Sequence, residues 1–225
     1  TGKPVTMGGS VGRDTATGRG VVFCIEEAAD VIGLDLTHSA AAVQGFGNVG
    51  SASARFLAEL GVRVVAVSDV HGAVRNLQGL DVPELLRHTR AGGAVSEFPE
   101  GEACDRESIF AEDVDILVPA ALENAITAEN ADSIKARLIA EGANGPTTIE
   151  GAHILRSKGK TVLPDILCNA GGVTVSYFEW VQNRQEFYWD EAKVDEELKR
   201  LMVRSCRQVF AEAQRHDCCL REAAY

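Results

Sequence analysis

At 225 residues, 45% apolar and 24% charged, the chain has the composition of a folded protein whose core needs no disulfide or metal staple, which excludes a disordered or fibrous chain. Its 22 basic and 33 acidic residues leave a formal charge of −11 with no basic cluster, so nucleic acid is excluded as an expected partner. No apolar run approaches the ~20 residues of a bilayer span and no signal-peptide layout opens the sequence, so a cytoplasmic protein with no membrane partner is expected.

Six cysteines (Cys24, Cys104, Cys168, Cys206, Cys218, Cys219) are scattered without metal-ligand spacing, which fits a reducing compartment and no metal site. The histidines show no metal spacing either. The chain opens at Thr1 and enters a Gly-rich stretch, Gly2 to Gly20, as a segment cut from a longer chain would.

Residues 1–14 read as loop. Thr15 to Ile32 reads as a helix, with Val21, Ile25, Ala28, Ala29 and Ile32 near a 3.6-residue period and Gly33 as its stop. Ser39 to Gln44 is a short apolar run suited to a buried parallel strand. Asn48 to Gly61 reads as the next helix, Val62 to Ser68 as a β-branched strand closed by Asp69, and His71 to Gly79 as a turn or short hairpin.

A helix over Asp81 to Arg90 has Asp81 as N-cap and Pro83 in its first turn. Gly92 to Ser108 reads as polar loop, Val114 to Val118 as a strand, Thr127 to Arg137 as partly helical and Leu138 to Ala140 as a strand. A helix from about Thr148 to Gly159 and a strand Thr161 to Leu163 follow. From Ala170 the chain reads as helical to its end, broken near Tyr188–Asp190.

Alternating strands and helices imply an α/β fold: a Rossmann-like, doubly wound, mostly parallel sheet with C-terminal helices. Residues 1–180 are expected to form the sheet domain and residues 181–225 a helical segment packed on it.

Gly45–Phe46–Gly47–Asn48–Val49–Gly50 matches G-x-G-x-x-G between a strand and a helix, and the next strand ends at Asp69. In that setting Gly45 allows the tight turn, Gly47 clears a path for a pyrophosphate, and Gly50 lets helix and strand approach. The amides of Gly47, Asn48 and Val49 face the phosphates, and Asp69 is placed to accept the adenosine ribose hydroxyls. NAD is the expected cofactor; NADP stays open because His71 or Arg75 can offset Asp69.

Beyond this fingerprint, Gly8–Gly9–Ser10 with Gly12–Arg13 and Ala16–Thr17–Gly18, QGFGNVG at 44–50, EGANGPTT at 141–148 and LPDILCNAGGVTVSYFEW at 163–180 together resemble the nucleotide-binding domain of glutamate dehydrogenases. Phe187–Tyr188–Trp189 and Leu220–Arg221 with Ala223–Ala224–Tyr225 extend the resemblance to the C-terminal end. Leucine, phenylalanine and valine dehydrogenases share the plan, and Ser176–Trp180 (SYFEW) looks like the glutamate branch.

The resemblance implies that Thr17 and Asn48 contact the cofactor and that Asn144 and Asn169 lie near the nicotinamide and its ribose. It implies further that Ser176, Val173 and Arg13 face the substrate. Locally, Thr17 also fits a helix N-cap, Asn144–Gly145–Pro146 a turn, Asn169–Gly172 a helix start, and Ser176 a buried serine bonding its own helix. Glu179 and Trp180 fit helix packing.

The family's catalytic lysines and aspartate precede the segment that Thr1 opens, so the resemblance implies no catalytic residue in this chain. The expected whole is an enzyme converting L-glutamate to 2-oxoglutarate and ammonium, built as a homo-hexamer. The present segment is expected to bind cofactor without turnover, as a monomer or loose dimer. A leucine, phenylalanine or valine dehydrogenase domain and a non-catalytic nucleotide-sensing subunit stand as alternatives.

Overall fold

The structure, a computed structural model, describes all 225 residues. Its strands are β1 (Ala40–Gln44), β2 (Arg63–Ser68), β3 (Ala73–Arg75), β4 (Glu102–Cys104), β5 (Ile116–Pro119), β6 (Leu138–Ala140) and β7 (Thr161–Leu163). They form one sheet in the order β4-β3-β2-β1-β5-β6-β7. Strands β2, β1, β5, β6 and β7 are parallel, whereas β3 runs antiparallel to β2 and β4 antiparallel to β3. The order reverses at β1, whose neighbours are β2 and β5. A crevice therefore opens at the carboxyl ends of β1 and β5, the place where such sheets take ligands.

The helices are α1 (Ala16–Ile32), α2 (Asn48–Glu59), α3 (Val82–Arg90), α4 (Ile149–Ser157), α5 (Asp165–Cys168), α6 (Ala170–Gln185), α7 (Glu191–His216) and α8 (Leu220–Ala224). Several starts are set by single side chains. Asp81 accepts the Glu84 amide at 2.8 Å, Thr148 the Gly151 amide at 3.1 Å and Asp190 the Lys193 amide at 2.8 Å. Gly33 ends α1 in the left-handed conformation.

Strand pleating sends alternate residues to two apolar clusters. Ala41 and Val43 of β1 face the larger cluster with α1, α2, α3, α6 and α7, while Ala40 and Ala42 face the smaller. The second face is covered differently from the first. Only α4 is a regular helix there, beside 3-10 turns at Arg106–Ala111 and Ala131–Ser133 and the apolar residues Ile126 and Ile134.

Two expectations change. Residues 92–108 hold strand β4 and a 3-10 turn at Val95–Glu97 instead of plain loop. A three-residue strand on a sheet edge has no period to detect; it exists because β3 offers a partner. The division after residue 180 falls inside α6, while residues 127–137 are partly helical as expected, through the 3-10 turn at Ala131–Ser133. Helix α7 also shares one core with the sheet domain, since Val194, Leu198, Met202 and Cys206 join Val21 and Ile25 of α1.

A buried cation stitches the same helices together. Arg19 of α1 pairs with Asp195 and, at 3.6 Å, with Glu191 of α7, and its guanidinium lies 4.5 Å from the centre of the Phe56 ring of α2. Burial pushes its pKa below the usual arginine value, against the pull of Glu191. No helix is long and apolar enough to cross a membrane.

Because Leu198 is 1% exposed between α7 and α1, Leu198→Ala is expected to lower the unfolding free energy by about 2–5 kcal/mol in urea titrations. A loss under about 1 kcal/mol would show that α7 is not part of the core.

Candidate functional site

The turn after β1 is built with almost no free space. Gly45 has φ +88°, and its amide donates to the Ser68 carbonyl at 2.8 Å. A Cβ on Gly50 would lie 1.8 Å from the Gly45 carbonyl oxygen, so helix α2 can start here only on glycine. At Gly47 the geometry is the opposite. A Cβ there would meet nothing within 4 Å, so this backbone is open toward the crevice. Gly47 is the N-cap of α2 and no side chain caps it, leaving first-turn amides and the positive end of the helix dipole facing outward. Phe46 is half-buried against the larger apolar cluster.

Asp69 closes β2 beside this turn. Its Oδ1 accepts the amides of His71 at 2.7 Å and Gly72 at 3.1 Å, and its Oδ2 accepts the amide of Val95 at 3.1 Å. A carboxylate offers about four acceptor positions, so roughly one stays open, on Oδ2. Backbone amides therefore occupy three of the acceptor positions that the sequence left free for the two expected ribose hydroxyls. Phe46, Asp69, His71, Thr89, Val95 and Glu97 border a cleft of about 480 Å³ beside the turn. Gln44 Oε1 and Ser68 Oγ, at the carboxyl ends of β1 and β2, are buried without a protein partner. Together the open amides, the cleft and these unpaired polar atoms fit a dinucleotide laid along the sheet edge.

Farther along that edge, the loops after β6 and β7 converge. Asn169 Nδ2 donates to Asn144 Oδ1 at 2.7 Å. The loop holding Asn144 is fixed at both ends. Gly142 and Ala143 donate to the Pro119 carbonyl, each at 3.0 Å, and Gly145 donates to Asp165 Oδ2 at 2.8 Å. Asn169 precedes α6 and its side chain does not cap that helix, while its side-chain amide donates to Asn144. Asn144–Gly145 forms a bend, with Gly145 at φ +53°, and Asn169 does start a helix, as the local readings expect.

Helix α6 carries the edge onward. Asn169, Val173 and Ser176 follow at spacings of four and three, one face of a helix. Val173 is exposed, and Ser176 Oγ accepts from Arg13 Nε at 2.8 Å. Ser176 thus bonds Arg13 rather than its own helix. Thr17 is the second residue of α1, not its cap; a Cβ at Gly172 would lie 2.4 Å from its Oγ1. A Cβ at Gly171 would lie 2.3 Å from the Ala16 carbonyl, so small residues on α6 let the Thr17 and Ser176 regions meet.

Two supports escaped the sequence reading. Glu179, 1% exposed, accepts the amides of Gly2 at 2.9 Å and Ser10 at 3.4 Å, and Gln182 donates to Ser10 Oγ at 3.0 Å. These bonds hold the Gly-rich segment that carries Arg13. Glu141, with no exposed side-chain surface, is paired with Arg221 of α8 at 2.6 Å. The sequence offers Glu179 only as helix packing and Glu141 and Arg221 only within the family resemblance, since an isolated Glu or Arg carries no signal of its distant partner. No three His, Cys, Asp or Glu side chains gather as metal ligands would.

A family model for the glutamate/leucine/phenylalanine/valine dehydrogenases matches residues 8–225. Glutamate dehydrogenase of Thermotoga maritima is 52% identical over 226 residues, which cover 100% of this chain and 54% of that protein. A catabolic NAD-specific glutamate dehydrogenase of Bacillus subtilis is 47% identical over 225 residues, covering 100% of the chain and 53% of the relative. Hetero-hexameric glutamate dehydrogenase of Thermus thermophilus, solved in a leucine-bound form, superposes with a TM-score of 0.94 at 37% identity, over 100% of this chain and 53% of that one. The chain thus spans about half the length of the curated relatives it matches.

The two glycines of the turn should part ways on substitution. Gly50→Ala is expected to lower the melting temperature by more than about 4 °C, whereas Gly47→Val leaves it within about 2 °C. Equal losses in both variants would contradict the packing described.

Proposed function

Since the chain belongs to the glutamate/leucine/phenylalanine/valine dehydrogenase family, we propose that it carries the NAD-binding half of an enzyme that oxidatively deaminates L-glutamate to 2-oxoglutarate and ammonium. The observation that carries this reading is the open, uncapped start of α2 at Gly47, directly beside Asp69 and in line with the Asn144–Asn169 pair.

In this reading the residues divide the dinucleotide between them. Amides of Gly47, Asn48 and Val49 hold the diphosphate, with Gly45 and Gly50 shaping their turn and Phe46 walling the adenosine side. The open lone pair of Asp69 takes one adenosine ribose hydroxyl, and a 2′-phosphate there meets like charge from Asp69 and Glu97, which favours NAD over NADP. The NAD-specific name of the Bacillus subtilis relative supports the same choice.

Asn144 and Asn169 present the donors and acceptors that orient a carboxamide and its ribose, with Thr17 beside them. Bound there, the nicotinamide supplies the hydride acceptor. Arg13 and Ser176 receive the substrate: with Oγ occupied by the Arg13 Nε–H, the serine O–H is free to donate to a carboxylate, and the arginine adds positive charge. Val173 packs against the same ligand. A carboxylate-directed pair favours glutamate over the apolar substrates of the sibling enzymes.

No proton-transferring lysine reaches this edge. Lys3 donates to Asn183, Lys135 lies before the amino end of β6 on the opposite edge, where its carbonyl accepts from Lys160, Lys158 pairs with Asp132, Lys193 with Glu196 and Lys199 with Glu26. The chain by itself is therefore expected to bind NAD without turning over glutamate. A hexameric assembly of the whole enzyme is supported by the named assembly of the Thermus thermophilus relative.

Titration calorimetry should show NAD binding that Gly47→Val weakens by at least about tenfold, roughly 1.4 kcal/mol, with folding intact. A folded wild-type chain that binds neither NAD nor NADP sinks the proposal. On the whole enzyme, faster oxidation of leucine than of glutamate would move the substrate to the sibling branch.

A further inference from the structure

Beneath the asparagine pair lies a half-buried ionic cluster around the buried Glu141 that the cofactor reading leaves unused. Arg221 Nη2 donates to Glu141 Oε1 and Oε2, both at 2.6 Å, and Nη1 donates to Asp165 Oδ1 at 3.2 Å. Glu141 Oε2 also accepts the Asp165 amide at 2.9 Å. Burial works against the charge on Arg221, yet Glu141 and Asp165 outweigh it and hold its pKa above the ordinary arginine value.

Both acidic residues are bonded, through side chain or backbone, into the two asparagine loops. Asp165 Oδ2 accepts the Gly145 amide, one residue after Asn144, and the Asp165 carbonyl accepts the Asn169 amide at 2.9 Å. Glu141 begins the loop that ends at Gly145, and its own amide bonds the Leu163 carbonyl of β7 at 3.2 Å. One guanidinium thus pins the first residue of the Asn144 loop and the first residue of the turn leading to Asn169. The Asn144–Asn169 bond closes the ring. A planar fork suits this task, because it can hold two carboxylates at a fixed angle where an ammonium group cannot.

We propose that Arg221 is a positioning residue for the Asn144–Asn169 pair, so that helix α8 sets the grip on the nicotinamide half of the dinucleotide. The proposal rests on the cofactor reading given above and deepens it. Loss of the clamp leaves the diphosphate turn and the Asp69 cleft untouched, since neither shares a bond with it. Its effect is therefore confined to one half of the ligand.

That selectivity provides the test. The chain is titrated with NAD and with ADP-ribose, which keeps the adenosine and diphosphate but has no nicotinamide. Arg221→Lys and the double variant Arg221→Met with Glu141→Gln, which leaves no unpaired buried charge on Glu141, are compared with wild type. Both are expected to weaken NAD by about tenfold while ADP-ribose stays within about twofold. In nitrogen-15 spectra the Asn169 side-chain amide signal should shift in both variants even without ligand. Equal weakening of the two ligands would reduce Arg221 to a general staple and overturn the proposal. So would an unchanged NAD affinity in folded variants, or unfolding of both variants. A wild-type chain that binds ADP-ribose and NAD equally well shows that the asparagine pair does not touch the nicotinamide; one that binds neither sinks the underlying reading itself.

Discussion

A single steric limit governs the molecule: the backbone of residue 50 lies against the carbonyl of residue 45 with no room for one more carbon. That limit brings the first turn of α2 onto the end of β1, next to the place where the strand order reverses. From there the open amides of α2, the carboxylate closing β2 and the loops after β6 and β7 lie along one sheet edge. A looser turn would point the helix elsewhere, and these groups would share no ligand.

The electrostatics are local. A net charge of −11 disfavours any anion approaching from a distance. At the edge itself the charge pattern differs, because Asp69 spends most of its acceptor capacity on the amides of His71, Gly72 and Val95. The first-turn amides of α2 keep their donor capacity free. Diphosphate recognition in such a field depends on dipoles within a few ångströms rather than on the overall charge, which water and salt screen over about 8 Å.

Much of this was legible in the residues. The 3.6-residue period of α1, the β-branched run of β2 and the glycine spacing at 45–50 each reflect local physics, and five parallel strands follow from their order. Strand β4 was not legible, since Glu102–Cys104 is a strand only because β3 lies beside it. Within the site, Gly45 and Gly50 could be read one by one, for a steric demand is a property of the position. Asp69 was read as a free acceptor because its bond to Val95 spans 26 residues and leaves no trace in sequence. Glu141 and Arg221, 80 residues apart, were invisible for the same reason.

The bond between Arg13 and Ser176 joins segments 163 residues apart, and the Gly-rich arm is held by Glu179 and Gln182 of the same distant helix. Closing so long a loop costs more chain entropy than forming any local turn, and nothing repays that cost until the sheet and α6 are in place. The Arg13–Ser176 contact is therefore among the last features to form when the chain folds. During refolding, helical signal should return before the Arg13 arm is seated, and the seated arm would serve as a marker of the fully native population.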